Sequence, residues 1–156
     1  MRIHRLANAR FADMEGIGGE NHSGRWHTRG SRIVYFASSC ALALNEVLVN
    51  LDLPPELLPD YVHMIVQVPE AVWHARRVIS ETALHDDWRT ADHSHETRSI
   101  GDGWLAVASS ALLDVPSAVI PSESNVLLNP AHADTESCEI VSVIPFIFDP
   151  RLFEFG

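Results

Sequence analysis

Alternating and continuous apolar runs predict strands at both ends of the chain with helices between them. Strands are predicted over residues 1–7, 61–68, 114–120 and 139–148. The third of these carries Ser117, and the last is rich in β-branched residues. A helix is predicted from about residue 104 to 112, with Asp102 as its cap. Strands at both ends and helices between them favour an α+β domain over a parallel doubly wound sheet.

A hairpin is predicted between these outer elements. Segments 25–27 and 32–37 flank a three-residue loop that ends at Gly30, which is typical of a turn closed by a residue at positive φ. Because side chains alternate between the faces of a sheet, this pairing puts Arg25 on the same face as Tyr35.

The next segment, residues 41–51, predicts a helix that Ser38 or Ser39 caps. It is apolar on nearly every face, which is typical of a helix covered by protein on all sides. Glu46 is the exception, and a carboxylate left unpaired there would cost several kcal/mol. Glu46 is therefore paired or part of a functional site, or it lies at the one wet edge of the helix.

Composition limits the possible classes of protein. The 156 residues, 46% of them hydrophobic, suit one domain over 1–156, and no apolar run suggests a membrane span or a signal peptide. Cys40 and Cys138 have no partner motif and fit a reducing compartment, so a cytoplasmic location is expected. The formal net charge of −10 disfavours non-specific nucleic-acid binding.

Two weaker patterns leave alternatives open. The glycine-rich stretch 11–24 suits either a flexible loop or a pyrophosphate cradle, although it does not lie between a strand and a helix as in nucleotide folds. His93 and His95 resemble two metal ligands. No cysteine or further histidine stands at a site-like spacing, so a solvated loop and no metal are predicted.

Short motifs follow one another from residue 5 to residue 152. They are G-x-G-(x)5-G-R-W over 16–26, G-x-x-[IV]-V-Y-x-A-x-S over 30–39, A-L-x-E-x-L-V over 43–49, I-G-D-x-W-L over 100–105, V-P-S-A-V over 115–119, N-x-L-L-N-P-x-H over 125–132 and F-D-P-R-L over 148–152. In this order they resemble the RES-domain family, the toxin components of bacterial toxin–antitoxin pairs, named after arginine, glutamate and serine positions. The chain departs from the family pattern at Ser23, usually glycine, and at His27, often asparagine.

This resemblance implies a fold similar to the ADP-ribosyltransferase toxins, a compact bent β-core with flanking helices and a cleft for NAD as substrate. Cleavage of the nicotinamide–ribose bond builds positive charge on the ribose, which a fixed carboxylate stabilises, and Glu46 is the candidate. Arg25 offers a guanidinium fork to the pyrophosphate. Tyr35 offers a flat face to nicotinamide or a hydroxyl to ribose.

Ser117 and Asn129 each have two interpretations. Ser117 is either a hydrogen-bond partner of the ribose or phosphate, as the resemblance implies, or an ordinary strand hydroxyl. Asn129, which precedes a proline, forms a turn or makes a second polar contact with the ligand.

Three functions fit the resemblance. One is a toxin that cleaves NAD and transfers ADP-ribose to phosphate or water. Another is a mono-ADP-ribosyltransferase with a protein acceptor, and the third is a non-catalytic NAD-binding module. The resemblance also implies a cognate antitoxin, in a hetero-oligomer built around an antitoxin dimer. From the net charge and the absence of a spanning run, neither nucleic acid nor membrane is expected as a direct partner.

Overall fold

The computed structural model describes residues 1–90 and 94–153 and is built on a seven-stranded sheet. The strands are β1 Arg2–Asn8, β2 Val34–Ala37, β3 Tyr61–Gln67, β4 Arg77–Val78, β5 Leu112–Pro116, β6 Ser124–Leu128 and β7 Glu139–Phe146. Their order is β4-β5-β6-β2-β1-β3-β7, and neighbours are antiparallel except β4 and β5. This mixed sheet with helices confirms the predicted α+β class.

Four α-helices accompany the sheet in the described part of the chain. They are α1 Gly18–Asn21, α2 Cys40–Leu48, α3 Glu70–His74 and α4 Ser94–Val107. Short 3-10 turns lie at Ala9–Phe11, Pro55–Leu57, Glu81–Ala83, Ala133–Ser137 and Pro150–Phe153.

The sheet divides where β1 meets β2. β1 pairs with β3 along its whole length, from Arg2 opposite Gln67 to Asn8 opposite Tyr61. It pairs with β2 at a single position, His4 opposite Ala37. Beyond that pair the two backbones separate, so the halves β4-β5-β6-β2 and β1-β3-β7 enclose a cleft between them.

Buried side chains fill both faces of the sheet. A cluster that includes Ile3, Phe36, Met64 and Val126 covers one face. On the other face a cluster built on Trp26, Trp88 and Trp104 packs on β5 and β6, and Leu42 and Ala43 of α2 pack on β1 and β2. Burying each large apolar side chain stabilises the fold by about 1.5–3 kcal/mol, so these layers fix the strands that border the cleft.

Several sequence predictions are confirmed. β1, β3 and β7 lie within a few residues of the predicted strands. Ser39 caps α2, since its hydroxyl oxygen accepts a hydrogen bond from the amide of Leu42 at 3.0 Å. Gly30 has the positive φ expected of it, +107°.

The predicted hairpin is wrong. β2 begins at Val34, and residues 25–33 form an irregular loop. β2 pairs with β6 along its whole length and with β1 only at Ala37, and segment 25–27 is not part of any strand. β6 itself was not predicted from the sequence.

Two helix predictions also need correction. The helix predicted over 104–112 is α4, which extends to Val107, and Asp102 lies inside it instead of capping it. α2 is not covered on all sides: Leu42 and Ala43 are buried, whereas Ala41 is exposed. The helix rests on one layer of sheet, so its outer face meets solvent although its composition is apolar.

Candidate active site

A cavity of about 710 Å³ opens where β1 and β2 separate. Its lining comes from β1, β2 and β6, from α2 and α4, and from the segments before β2, after α2 and after β5. The lining residues are His4, Arg5, Leu6, Ser23, Gly24, Arg25, Trp26, Tyr35, Phe36, Ala37, Ala43, Glu46, Val47, Val49, Asn50, Arg98, Ala118, Val119 and Asn125. Three arginines and one glutamate are its charged side chains, although the chain has a net charge of −10. The cavity therefore suits a ligand with negative charge.

Glu46 lies on the cavity side of α2, and one of its oxygens is held by two donors. The hydroxyl of Ser117 donates to Oε1 at 2.8 Å, and Nδ2 of Asn125 donates to the same atom at 2.6 Å. Glu46 is therefore a paired carboxylate in a cavity, with its second oxygen outside this pair of bonds.

Ser117 does not line the cavity. It follows the last residue of β5, Pro116, and is fully buried. Its oxygen accepts hydrogen bonds from the amides of Val119 and Ile120, at 3.1 and 3.0 Å, while its proton goes to Glu46. These contacts place Ser117 against Glu46 and outside the cavity lining, and its direct contact with ribose or phosphate stays a prediction.

Arg25 projects from the loop before β2. Its Nη1 donates to the carbonyl oxygen of Trp88 at 2.9 Å, and more weakly to that of Thr90 at 3.4 Å. None of the ion pairs found between described residues includes Arg25. Burial lowers the pKa of Arg25, and the negative charge of Glu46 acts in the opposite direction. Its remaining N–H groups are available to a ligand.

Helix α4 holds the loop that carries Arg25. Thr97 donates to the carbonyl oxygen of Arg25 at 2.6 Å, and Arg98 donates to that of Gly24 at 2.9 Å. The carboxylate of Asp102 accepts hydrogen bonds from the amide and the hydroxyl of Thr28, at 2.8 and 2.6 Å.

Between these contacts the helix approaches the loop at Gly101. A Cβ placed on Gly101 would stand 1.7 Å from the carbonyl oxygen of Trp26. The I-G-D-x-W-L motif thus explains how the loop is held, because only glycine permits this approach.

Tyr35 lies on the floor of the cavity with its hydroxyl already bonded. The oxygen accepts a hydrogen bond from the amide of Trp26 at 3.2 Å and lies 2.8 Å from Nδ1 of His27. Nε2 of His27 lies 2.9 Å from the carbonyl oxygen of His22, so Nε2 carries the proton and Nδ1 accepts from Tyr35. Burial lowers the pKa of His27 and raises that of Tyr35, which keeps both neutral at pH 7. The hydroxyl of Tyr35 is therefore occupied by Trp26 and His27.

Asn129 does not belong to this cavity. It follows β6, and its Oδ1 accepts a hydrogen bond from the amide of Ala131 at 3.0 Å, as in a turn. Its Nδ2 is buried without a partner among the described residues. The structure favours the turn-forming interpretation over a ligand contact.

The glycine-rich stretch packs closely against the loop before β2. A Cβ on Gly16 would lie 2.6 Å from the amide nitrogen of Ile33, and one on Gly19 would lie 2.4 Å from the carbonyl oxygen of Ser31. Gly16 also has a φ of +72°. Gly16 and Gly19 are needed for this packing. Of Gly16, Gly18, Gly19 and Gly24, only Gly24 lines the cavity.

Sequence reasoning missed Arg5, Arg98 and Asn125 as site residues. Arg5 lies in a predicted strand, Arg98 precedes the predicted helix, and Asn125 belongs to a strand that was not predicted. The signal for Asn125 was present in the N-x-L-L-N-P-x-H motif, whose first residue it is.

Within residues 1–90 and 94–153, no group of three or more His, Cys, Asp or Glu side chains is arranged to hold a metal ion. His93 lies outside the described residues, so the interpretation of the His93 and His95 pair stays a prediction. No helix in the described part of the chain is long and apolar enough to cross a membrane.

Comparison with known proteins decides the family. The model of the RES domain matches residues 1–149. The chain belongs to the RES domain family. The resemblance inferred from the motifs is thereby confirmed.

Relatives of this RES domain are named as toxins. It is 39% identical over 144 residues to "Toxin Res" of Pseudomonas putida, covering 92% of this chain and 94% of that protein. It is 35% identical over 140 residues to the "Prs ADP-ribosylating toxin" of a Sphingobium species, with 90% and 86% coverage.

The fold has a relative among solved structures. A chain from the crystal structure of the M. tuberculosis MbcT-MbcA toxin-antitoxin complex matches with a TM-score of 0.73 at 14% identity. The match covers 93% of this chain and 83% of that one.

Proposed function

We propose that this RES domain is the toxin of a bacterial toxin–antitoxin pair and that it cleaves the nicotinamide–ribose bond of NAD, passing ADP-ribose to phosphate or water. The observation that carries the proposal is the arrangement at Glu46. A carboxylate held by Ser117 and Asn125 faces a cavity of about 710 Å³ lined by Arg5, Arg25 and Arg98. This volume lies within the range of small-molecule sites.

The arginines supply the binding. The pyrophosphate of NAD carries two negative charges, and a guanidinium offers paired donors to phosphate oxygens. Arg25 and Arg98 come from neighbouring elements that hydrogen bonds join, so they form one wall of the cavity. The ring of Tyr35 is the surface on which nicotinamide or its ribose would pack.

The chemistry centres on Glu46. When the bond between C1′ of the ribose and N1 of nicotinamide breaks, its electron pair returns to the ring nitrogen, and positive charge develops on C1′ and the ring oxygen. A carboxylate fixed beside that carbon stabilises the transition state more than the ground state. Ser117 and Asn125 are positioning residues, because they fix Oε1 and leave Oε2 to the cavity.

A second candidate is transfer of ADP-ribose to a protein. A relative named an ADP-ribosylating toxin, 35% identical to this chain, favours it. The same Arg25, Tyr35, Glu46 and Ser117 would serve both reactions. A non-catalytic NAD-binding module is disfavoured, since binding alone has no need of a carboxylate oriented by two donors.

Identifying the product tests these candidates. The pure protein is incubated with NAD, with and without phosphate and cell lysate, and the destination of ADP-ribose is determined by mass spectrometry. ADP-ribose, free or joined to phosphate, is expected. A labelled lysate protein would favour the second candidate, and intact NAD in every sample would refute cleavage.

We also propose a cognate antitoxin as partner, because the fold is similar to a chain from a toxin–antitoxin complex. In this proposal the toxin acts in the cytoplasm, and an antitoxin dimer in a hetero-oligomer denies NAD access to the cavity. Co-expression with the neighbouring reading frame, followed by size-exclusion chromatography and an NAD assay, is the test. Separate elution, or a complex with full activity, would refute occlusion.

A further inference from the structure

A second, smaller cavity of about 310 Å³ adjoins the first. The two share five lining residues, Arg5, Leu6, Glu46, Val47 and Asn50, so Glu46 stands where they meet. The smaller cavity continues between the end of β1, the end of α2 and the start of β3, past Asn8, Phe11 and Tyr61. A reactive carbon held beside Glu46 would therefore be reached from both cavities.

Arg5 is the cation of this smaller cavity. Its Nη1 donates to the carbonyl oxygen of Asp13 at 3.0 Å, and none of the ion pairs found between described residues includes it. Arg5 lines both cavities, and the N–H groups of its guanidinium other than the one bonded to Asp13 donate to no described residue. Burial lowers the pKa of Arg5, and the negative charge of Asp13 acts in the opposite direction.

The rest of the smaller cavity has no group that would activate a neutral acceptor. Besides Glu46 and Arg5, the ionisable residue among its described lining is Tyr61. Burial raises the pKa of Tyr61, so it is protonated at pH 7 and accepts no proton. Water must lose a proton when it attacks carbon, whereas a phosphate dianion attacks through an oxygen that already carries negative charge.

We propose that the smaller cavity is the acceptor site of the enzyme and that Arg5 binds the acceptor there through a phosphate group. This inference rests on the proposed cleavage of NAD and adds the site of the acceptor. A phosphate oxygen forms a bond to C1′ while the bond from C1′ to N1 of nicotinamide breaks, and its electron pair neutralises the nicotinamide ring. The products are nicotinamide and ADP-ribose 1″-phosphate, and the step needs no further reactant.

Steady-state kinetics test the site. Nicotinamide release is measured against phosphate concentration and against NAD concentration for the parent, Arg5→Met and Arg2→Met. Arg2 lies on the same strand, is exposed and is outside both cavities, so its variant controls for the lost charge. We expect Arg5→Met to raise KM for phosphate at least about tenfold and KM for NAD less than about twofold. The Arg2 variant should change neither.

A rise in KM for NAD with an unchanged KM for phosphate would assign Arg5 to the NAD site and overturn the proposal. If Arg5→Met does not fold, Arg5→Lys keeps a donor for the carbonyl of Asp13 but loses the fork, and it should raise KM for phosphate to a smaller extent. An unchanged KM for phosphate in Arg5→Lys would then count against the site.

Two probes distinguish the sources of the phosphate group. Acceleration by inorganic phosphate alone would identify the free ion as acceptor, and acceleration by glycerol 3-phosphate would identify phosphate monoesters. Acceleration by neither overturns the proposal. Should the parent leave NAD intact, calorimetric titration with inorganic phosphate still tests the cavity: binding by the parent but not by Arg5→Met would support an anion site, and binding by neither would refute it.

Discussion

Glu46 and Arg25 line the same cavity, but the fold holds them in different ways. The carboxylate of Glu46 is fixed by side chains, the hydroxyl of Ser117 and the amide of Asn125. The loop of Arg25 is fixed through its backbone, because α4 bonds to the carbonyl oxygens of Gly24 and Arg25 and packs against Trp26, and the guanidinium donates to the carbonyl oxygen of Trp88. On the Glu46 side a change of one side chain alters the proposed reactive group itself. On the Arg25 side a change in α4 moves the proposed binding group without changing its side chain.

The largest effect is expected from Glu46→Gln. The amide oxygen still accepts from Ser117 and Asn125, so the fold should persist, but the negative charge that stabilises the ribose cation is gone. A loss of about 10²- to 10³-fold in kcat is the scale for a preorganised electrostatic group. Nicotinamide release is the measurement, and Glu70→Gln, at an exposed position of α3, is the control. Parental kcat in Glu46→Gln would make Glu46 structural.

Variants that remove the two hydrogen-bond donors of Glu46 distinguish an effect on the position of the carboxylate from an effect on the stability of the fold. Hydrogen bonds to charged groups contribute about 1.5–3 kcal/mol, so Ser117→Ala and Asn125→Ala should each lower kcat about ten- to a hundredfold with little change in KM for NAD. Ser117→Ala also leaves the amides of Val119 and Ile120 without their hydrogen-bond acceptor. It should therefore lower the free energy of unfolding by about 1–3 kcal/mol more than Asn125→Ala does. Urea denaturation beside the kinetics checks both points. Unchanged kcat in Asn125→Ala would contradict the role of this bond.

Substitutions of two glycines of α4 test how the Arg25 loop is held. Gly101→Ala forces the new Cβ against the carbonyl oxygen of Trp26 and should shift the Arg25 loop. Overpacking of this kind costs about 1–3 kcal/mol, and we expect a roughly tenfold loss of NAD affinity with it. Gly103→Ala is the matched control, since a Cβ there meets nothing within 4 Å. It should stabilise the protein by about 0.5–1 kcal/mol. Equal effects of the two variants would refute the close approach.

The contrast between local side-chain patterns and long-range contacts explains which elements could be predicted from the sequence. Strands with clear alternation, such as β1 and β3, were found because each pairs along its length and has one buried face. The loop 25–33 has the turn residue of a hairpin at Gly30, but its contacts are with α4, about 70 residues away, and no local pattern encodes them. Tertiary packing therefore overrides the local turn signal.

The site was predictable to the extent that it repeats a family pattern. Arg25, Tyr35, Glu46 and Ser117 come from motifs, and the structure brings Ser117 to Glu46. The sequence did not show that Ser117 is buried behind the carboxylate, because that requires the end of β5 to lie beside α2. Arg5 and Arg98 lie in no sequence pattern that would distinguish an arginine of the site from an arginine of the surface.

A loss of NAD affinity of similar size, without a loss of stability, is expected from Arg25→Lys. The charge stays, but an ammonium group cannot reproduce paired donation to a phosphate or the bond to the carbonyl of Trp88 in the same geometry. NAD affinity measured by calorimetry on the Glu46→Gln background, which slows turnover, should fall roughly tenfold. Arg29→Lys, at an exposed position of the same loop, is the control. Unchanged affinity would remove Arg25 from the pyrophosphate site.

The smallest effect expected is a dependence of stability on pH that arises at His27. Burial lowers the pKa of His27, and protonation of Nδ1 would break its bond with the Tyr35 hydroxyl. The folded state thus binds a proton less readily than the unfolded chain, so this stability is present above pH of about 6.5 and is lost as pH falls below it. His27→Asn removes the titrating group, and its urea midpoint should fall less between pH 7 and pH 5 than that of the parent. Burial also lowers the pKa of His4 and His63, so the variant should keep part of the slope. Parallel curves for parent and variant would show that His27 does not couple the Arg25 side of the cavity to pH.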